Sequence, residues 1–461
     1  MTTTTWINTA GGNFDTAANW SNGVPSSFND TALITAKGTY TVTVSQADVV
    51  GTLQMAKGAT LAIQPTDSLD VTAGTGTGKG ALAGTINVAN GAELDFGTDG
   101  DPTTFNNTGA INLQSSGDPT DMFIAGNVTL TGKGKVNLAL ASIVSDGTAG
   151  SLTNGSTSSG NTISGTGLIG DEIDANLSFT NAAKGIVDAT GGELAIGTGF
   201  AATVTNNGLM EATGNSGDLS LESNVTQGTR GKIEAASAGS RVDLESVTIT
   251  GGVISIATGA SLFTDGDVNA KIANTTPMVN NGTLDMLGSL EITGSVTGKG
   301  QAQFNGTGNQ TLKFDGASST NVSIGDHDTL DLVNPRKFTG TVSGLTNPGS
   351  AIDLENISFA NAEIVSYTKG VLTVTDTSSK ATDKIKIAGG VSFTIEQAAD
   401  NSALIEDPLA NAAGVSHADT NLLVQSMAAF GAGSSIAGSA TGHVADYHTS
   451  ANFLAINSHH G

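Results

Sequence analysis

Most of this chain is written in short stretches that alternate apolar and polar residues and break at glycine. The commonest form is a glycine, one further residue, then an aliphatic–polar–aliphatic triplet. It occurs at Gly84-Thr-Ile-Asn-Val88, Gly109-Ala-Ile-Asn-Leu113, Gly134-Lys-Val-Asn-Leu138 and Gly185-Ile-Val-Asp-Ala189. It returns at Gly208-Leu-Met-Glu-Ala212, Gly231-Lys-Ile-Glu-Ala235, Gly252-Val-Ile-Ser-Ile256 and Gly282-Thr-Leu-Asp-Met286. Successive glycines lie 25, 25, 51, 23, 23, 21 and 30 residues apart, and the 51 is two periods with one degenerate copy. A period of two along each stretch means strands, and a period of about 20–25 residues between stretches means a repeat architecture.

Two further patterns fill each period. One runs Lys57-Gly-Ala-Thr-Leu-Ala-Ile63, Asn90-Gly-Ala-Glu-Leu-Asp-Phe96, Gly191-Gly-Glu-Leu-Ala-Ile196 and Ser216-Gly-Asp-Leu-Ser-Leu221, continuing at Thr258–Phe263 and Gly288–Ile292. The other is shorter: Asn127-Val-Thr-Leu130, Asn224-Val-Thr226, Ser246-Val-Thr-Ile249 and Ser295-Val-Thr297. Two or three strands per period, parted by Gly or Asn turns, describe one coil of a parallel β-helix, with right-handed coiling the expected hand. The fold class is therefore all-β, a solenoid whose core is a column of stacked aliphatic side chains. Asparagine pairs precede the first-pattern glycines at Asn106/Asn107, Asn206/Asn207 and Asn280/Asn281. Asn tolerates the backbone of a sharp bend, and amides stacked at equal positions can bond along the axis, so a structural ladder is expected.

The pattern changes at both ends. Residues 1–50 carry Trp6, Phe14 and Trp20 among Gly and Asn turns, and read as a cap that plugs the first coil; a tryptophan platform for a sugar ring is the competing reading. Repeats fill 51–325. From 326 to 408 the stretches are still β but more widely spaced, as in a terminal module that closes the helix. Residues 409–461 form a tail, with helical spacing over His417–Phe430 behind Asp419/Thr420 and then Gly/Ala/Ser/His-rich chain.

Composition narrows the function. Of 461 residues only 13% are charged and 4% aromatic, and the net charge is −24 with three arginines. Such a surface repels nucleic-acid phosphates and anionic lipids and favours divalent cations. No cysteine is present, which excludes disulfides and thiolate chemistry. No apolar run reaches membrane-spanning length. The opening MTTTTWINTAGG lacks the basic and apolar regions of a signal peptide, so export is expected to use an address in the tail.

The opening Gly11-Gly-Asn-Phe-Asp-Thr-Ala-Ala-Asn-Trp-Ser-Asn-Gly-Val-Pro25, with Asn29-Asp-Thr-Ala-Leu-Ile34, resembles the start of proteobacterial β-helical surface proteins. The repeats look like coils of autotransporter passengers and adhesins. The stretch from Phe338 through Ile352-Asp-Leu-Glu-Asn-Ile357 to Pro408, with its tail, is similar to the ends of alphaproteobacterial proteins exported by type I secretion. The resemblance spans nearly the whole chain, but its motifs are structural. It implies a non-enzymatic protein of the cell surface, extracellular matrix or biofilm. Two family features are missing: the glycine-rich calcium nonapeptides and a C-terminal membrane barrel.

Candidate chemistry is thin. Acidic groups recur in turns at Asp99/Asp101, Asp171/Glu172/Asp174, Asp265/Asp267 and Asp326/Asp328. Asp in a turn ordinarily serves its own backbone; where it does more, paired carboxylates beside carbonyls suit calcium. Asp99, Asp101, Asp171, Asp174, Asp265, Asp267, Asp326 and Asp328 are thus the calcium candidates, and no cofactor is required. Thr-Gly-Lys-Gly at 77–80, 131–134 and 297–300 mimics a phosphate loop, but its repetition marks a turn and the Ser/Thr after Lys is missing. The expected function is a secreted structural or adhesive protein that binds surface glycans or assembles with itself, with calcium, into filaments or a lattice. A secreted β-helical polysaccharide lyase or hydrolase is the alternative; it needs a groove with converging acid, base and aromatic groups.

Overall fold

The computed structural model describes residues 2–76, 80–170, 177–198, 202–266, 269–389 and 392–408, with Asp99 described by its backbone only. The expected tail helix at 417–430 and the rest of 409–461 lie outside the described residues, as does most of the first Thr-Gly-Lys-Gly turn. Within them the chain is all-β, a solenoid of about 13 stacked turns. Among the described residues no helix is long and apolar enough to cross a membrane.

The sequence patterns become columns of core residues. Val42, Leu61, Ile86, Ile111, Val136, Ile163, Val187, Met210, Ile233 and Ile254 are successive register partners in parallel strands. Ile163, in strand Thr162–Ile169, is the degenerate copy inside the 51-residue interval. A second column runs Leu69, Leu94, Met122, Ile143, Ile169, Ile196, Leu221 and Leu244. A third runs unbroken from Val128 through Leu152, Phe179, Val204, Val225, Ile249, Ile272, Ile292 and Phe314 to Leu332 and Leu354. All of these side chains are buried. Burying each contributes about 1.5–3 kcal/mol, offset by the entropy of ordering its coil.

Two details differ from the sequence reading. The patterns exchange faces: Leu61, from the second pattern, stacks in the first column, while Leu284, from the first, stacks on Leu262 beside the second column. That exchange accounts for the 30-residue interval before Gly282. Parallel stacking also continues past residue 325, to Leu354. Only then does the chain turn antiparallel, pairing Ala351–Ser358 with Ser402–Glu406 and forming the meander Ala362–Thr368, Val371–Asp376, Thr382–Ile387.

The asparagine ladder is present and longer than the doublets indicate. Asn107 Nδ2 donates to Asn161 Oδ1 (2.9 Å), Asn161 to Asn154 (3.1 Å), Asn154 to Asn181 (3.0 Å), Asn181 to Asn206 (3.0 Å) and Asn206 to Gln227 Oε1 (3.1 Å). Most rungs also donate to a carbonyl one coil on, as Asn206 does to Lys232 O at 3.0 Å. The ladder explains the glycines that open the first-pattern strands beside it, Gly134, Gly185, Gly208, Gly231 and Gly252. A Cβ at Gly185 would lie 2.3 Å from both Asn181 Oδ1 and Asn154 O, so the amides can stack only against a bare backbone.

Both ends are closed. Trp6, Phe14 and Trp20 are buried, with Trp20 meeting Trp6 and Phe14 edge-on at centroid distances of 5.2 and 5.1 Å. Both indole N–H groups donate to backbone carbonyls, of Asn8 and Phe14. The tryptophans therefore plug the core and offer no platform to a sugar. At the other end the antiparallel strands cover the last coil.

Candidate functional site

Among the described residues the calcium candidates do not gather into one cluster. Asp101 is exposed on the irregular segment where register slips between Gly97 and Pro102, and Asp99 shares that strand. Asp326 is exposed, whereas Asp328 is buried and its Oδ1 accepts the N–H of Gln310, on the preceding coil, at 2.9 Å, so it serves a neighbouring coil and not its own turn. Asp265 is exposed, and its Oδ1 accepts the Gly266 N–H at 2.7 Å. Asp171, Asp174 and Asp267 lie outside the described residues.

Asp265 does have acidic company, and it comes from neighbouring coils. The strands Ile186–Ile196, Asp218–Leu221, Arg241–Leu244 and Ser261–Thr264 stack in parallel. Their alternation sends Leu194, Leu219, Val242 and Leu262 inward, with Ile196, Leu221 and Leu244 beside them. The outward positions form a grid. Its first column is Glu193, Asp218, Arg241 and Ser261; its middle column is Ala195, Ser220, Asp243 and Phe263. Just past the strands, Glu222, Glu245 and Asp265 continue the third. Six carboxylates thus share one patch with a single guanidinium.

Within this patch Glu193, Glu222 and Glu245 bring carboxylate oxygens within 4.8 Å of one another. Glu193 and Glu222 stand on the two flanking columns, about 13 Å apart at four residues of strand, so they must lean toward each other across the middle one. The middle residues there are small, and they are buried although they point outward: Ala195 at 7% exposure and Ser220 at 1%. Ser220 Oγ donates to Glu245 Oε1 at 3.3 Å. Arg241 pairs with Asp218, reaches Asp243 Oδ2 at 3.4 Å and lies 4.7 Å over the Phe263 ring. Burial above all, opposed by Arg241 and reinforced by Asp218 and Glu245, holds the Asp243 carboxyl up at about 7. Asp218 Oδ1 and Asp243 Oδ1 are buried without a hydrogen-bond donor. Beside the patch, Glu193 and Glu222 edge a 540 Å³ cleft floored by Leu140, Leu168 and Ala195.

A second acidic cleft lies on the same sheet, several coils nearer the N-terminus. Asp70 and Asp95 are register partners, and Phe123 follows Asp95 in that column. With Thr72, Thr98 and Asp146 they line a 380 Å³ cavity. Burial and then the neighbouring Asp70 carboxyl together raise Asp95 to about 8. Asp95 Oδ1 is buried with no donor. Asp95 therefore keeps its proton at neutral pH.

The coils and their faces define the class: a β-solenoid with carboxylates stacked from coil to coil on its sheets. No family model matches the chain, and neither does any curated protein or solved structure at a significant level.

Proposed function

We propose that this chain is a non-enzymatic structural and adhesive rod of a bacterial surface or extracellular matrix, as the resemblance of its ends to alphaproteobacterial type I-secreted surface proteins implies. The observation that carries the reading is the acidic sheet face on a rod whose ends are both closed. A solenoid with free strand edges grows end to end. With the first coil plugged by Trp6 and Trp20 and the last covered by antiparallel strands, association must run sideways. Copies that each carry a net charge of −24 repel one another until cations bridge their acidic faces. Calcium suits that role, and anionic surface glycans are partners of the same chemistry. Negative-stain electron microscopy of purified protein tests it. Lateral bundles or sheets are expected with millimolar calcium and should dissolve in chelator; isolated short rods under both conditions would sink the assembly reading.

The second reading, a secreted polysaccharide lyase or hydrolase, draws on the Asp70–Asp95 cleft with Phe123 at its wall. Its two carboxyls stand on adjacent rungs of the sheet. Glycosidases hold theirs about 5–9.5 Å apart with the scissile bond between them. Incubation with a panel of neutral and uronate polysaccharides is expected to release no reducing ends or unsaturated products. Release that vanishes in Asp95→Asn would reverse the choice.

A further inference from the structure

We propose that the cleft beside the acidic patch docks a short basic segment of a partner polypeptide, with an aliphatic side chain on its floor and a lysine at its rim. Leu140, Leu168 and Ala195 make the floor, and its 540 Å³ has room for about two or three side chains. Leu168 and Ala195 are register partners on the outward side of their strands, where the following coils carry Ser220 and Asp243. Leu140 is the unusual member. It is the extra residue of a bulge in the strand Lys135–Ser145, where register slips between Ala139 and Ala141. Its backbone lies at φ +54, in the left-handed region that glycine fills most easily, and its side chain is 72% exposed. The matching irregularities on the next two coils use Gly165 and Gly167, then Gly191 and Gly192. Glycine at position 140 would follow that pattern, with less strain and no apolar side chain in water. The bulge instead aims a leucine outward, beside a notch that Gly167, Gly191 and Gly192 leave open.

Charge decides what enters. Glu193 is exposed at the rim with Glu222 beside it, and the patch behind them is acidic, with Arg241 its single guanidinium. A second copy brings a net charge of −24 to that rim, and a uronate glycan brings carboxylates, so both are repelled. Among the described residues no aromatic ring lines the cleft to stack a neutral sugar. A lysine suits both parts, with its aliphatic stem along the floor and its ammonium at Glu193.

The inference names a partner for the adhesive part of the proposed function and rests on that reading. Full-length protein is titrated into the fluorescein-labelled peptide Ser-Leu-Lys-Leu-Ser in about 0.15 M salt and followed by fluorescence anisotropy. The parent chain is expected to bind with a Kd of about 10⁻⁵–10⁻⁴ M. Ser-Leu-Glu-Leu-Ser and Ser-Ser-Lys-Ser-Ser should each bind about tenfold more weakly or worse. Leu140→Gly leaves the net charge as it is. It is expected to weaken binding about tenfold or more while its thermal midpoint holds or rises, since glycine relieves the left-handed backbone. Glu193→Gln should weaken binding as well, whereas Val365→Ser, at an exposed apolar position of the C-terminal module, should leave it unchanged. Full affinity in Leu140→Gly, equal binding of the serine-flanked lysine, or no binding by the parent would overturn the site. So would a parent dimer in sedimentation that Leu140→Gly dissolves, because the groove would then belong to a second copy. Calcium-driven bundles without peptide binding strike the docking site and leave the assembly of the rod standing.

Discussion

Asn181→Ala is expected to lower the free energy of unfolding by about 4 kcal/mol, more than any surface substitution on this protein. Asn181 is fully buried, and its amide has no spare valence. Its Nδ2 donates to Asn206 Oδ1 at 3.0 Å and to Leu209 O at 2.9 Å, while its Oδ1 accepts from Asn154 at 3.0 Å. Alanine would orphan one Asn154 N–H at about 1–3 kcal/mol, take a donor from the Asn206 Oδ1 and from the Leu209 carbonyl, and leave a void where the amide stood. Asn137→Ala is the control. It belongs to an outward row in which Asn137 donates to Asn112 at 2.7 Å and Asn112 to Asn87 at 2.8 Å, the same bonding with water at hand. Its loss should stay under about 0.5 kcal/mol. Urea unfolding followed by circular dichroism reads both. Because solenoid stability is a nearest-neighbour sum, the Asn181 variant is also expected to unfold in two steps, as the coils on either side uncouple. Equal losses for the two variants would show that the buried ladder does no more than the exposed one.

That ladder also marks how far the sequence could be read. The aliphatic columns were legible because alternation with period two fixes which residues face inward, and the glycine breaks fix where each coil turns. Asn107, Asn206 and Asn280 were legible because doublets announced them. Asn154, Asn181 and Gln227 carry no doublet, and only the register reveals that they share a column with Asn206; Asn161 joins them from across the turn of Asn154's own coil. The acidic patch was illegible for a related reason. In a solenoid the nearest side chains are those one coil away, at about 4.8 Å, whereas residues two apart on a strand are about 6.6 Å apart. Reading for carboxylates close in sequence therefore picks turn residues such as Asp326 and Asp328, which the fold parts, one exposed and one buried. Glu193, Glu222 and Glu245 meet across three coils whose lengths differ, so their convergence needs the register of two strand pairings. Asp265 was found for its partner Asp267, yet its acidic neighbours belong to the coil before.

The same stacking is expected to invert the usual dependence of stability on pH. Among the described residues ten carboxyls are held above their ordinary range and three below it, so the net effect is set by the raised ones. Asp95 reaches about 8 through burial and Asp70, Asp48 about 7 through burial and Asp15, and Asp331 about 7 through burial, although Lys313 pulls it down. A carboxyl raised in the fold keeps its proton where the unfolded chain, with a pKa of about 4, has released it. The folded state then binds more protons, so stability is greatest below about pH 4 for these groups and falls as pH rises toward 7–8. One such group costs about 1.4 kcal/mol for each pH unit of that window; the cleft admits solvent to Asp95, so its share is set at about 2 kcal/mol. Asp95→Asn removes the titration and can donate a hydrogen bond to Asp70. It is expected to raise the unfolding free energy by about 1–2 kcal/mol at pH 7.5, to change little at pH 4.5, and to flatten the slope between them. Urea midpoints across that range measure it. A parent protein that gains stability from pH 4.5 to 7.5 would mean that these carboxyls ionise freely in the fold, and that rungs of stacked acids are screened by water far better than their burial implies.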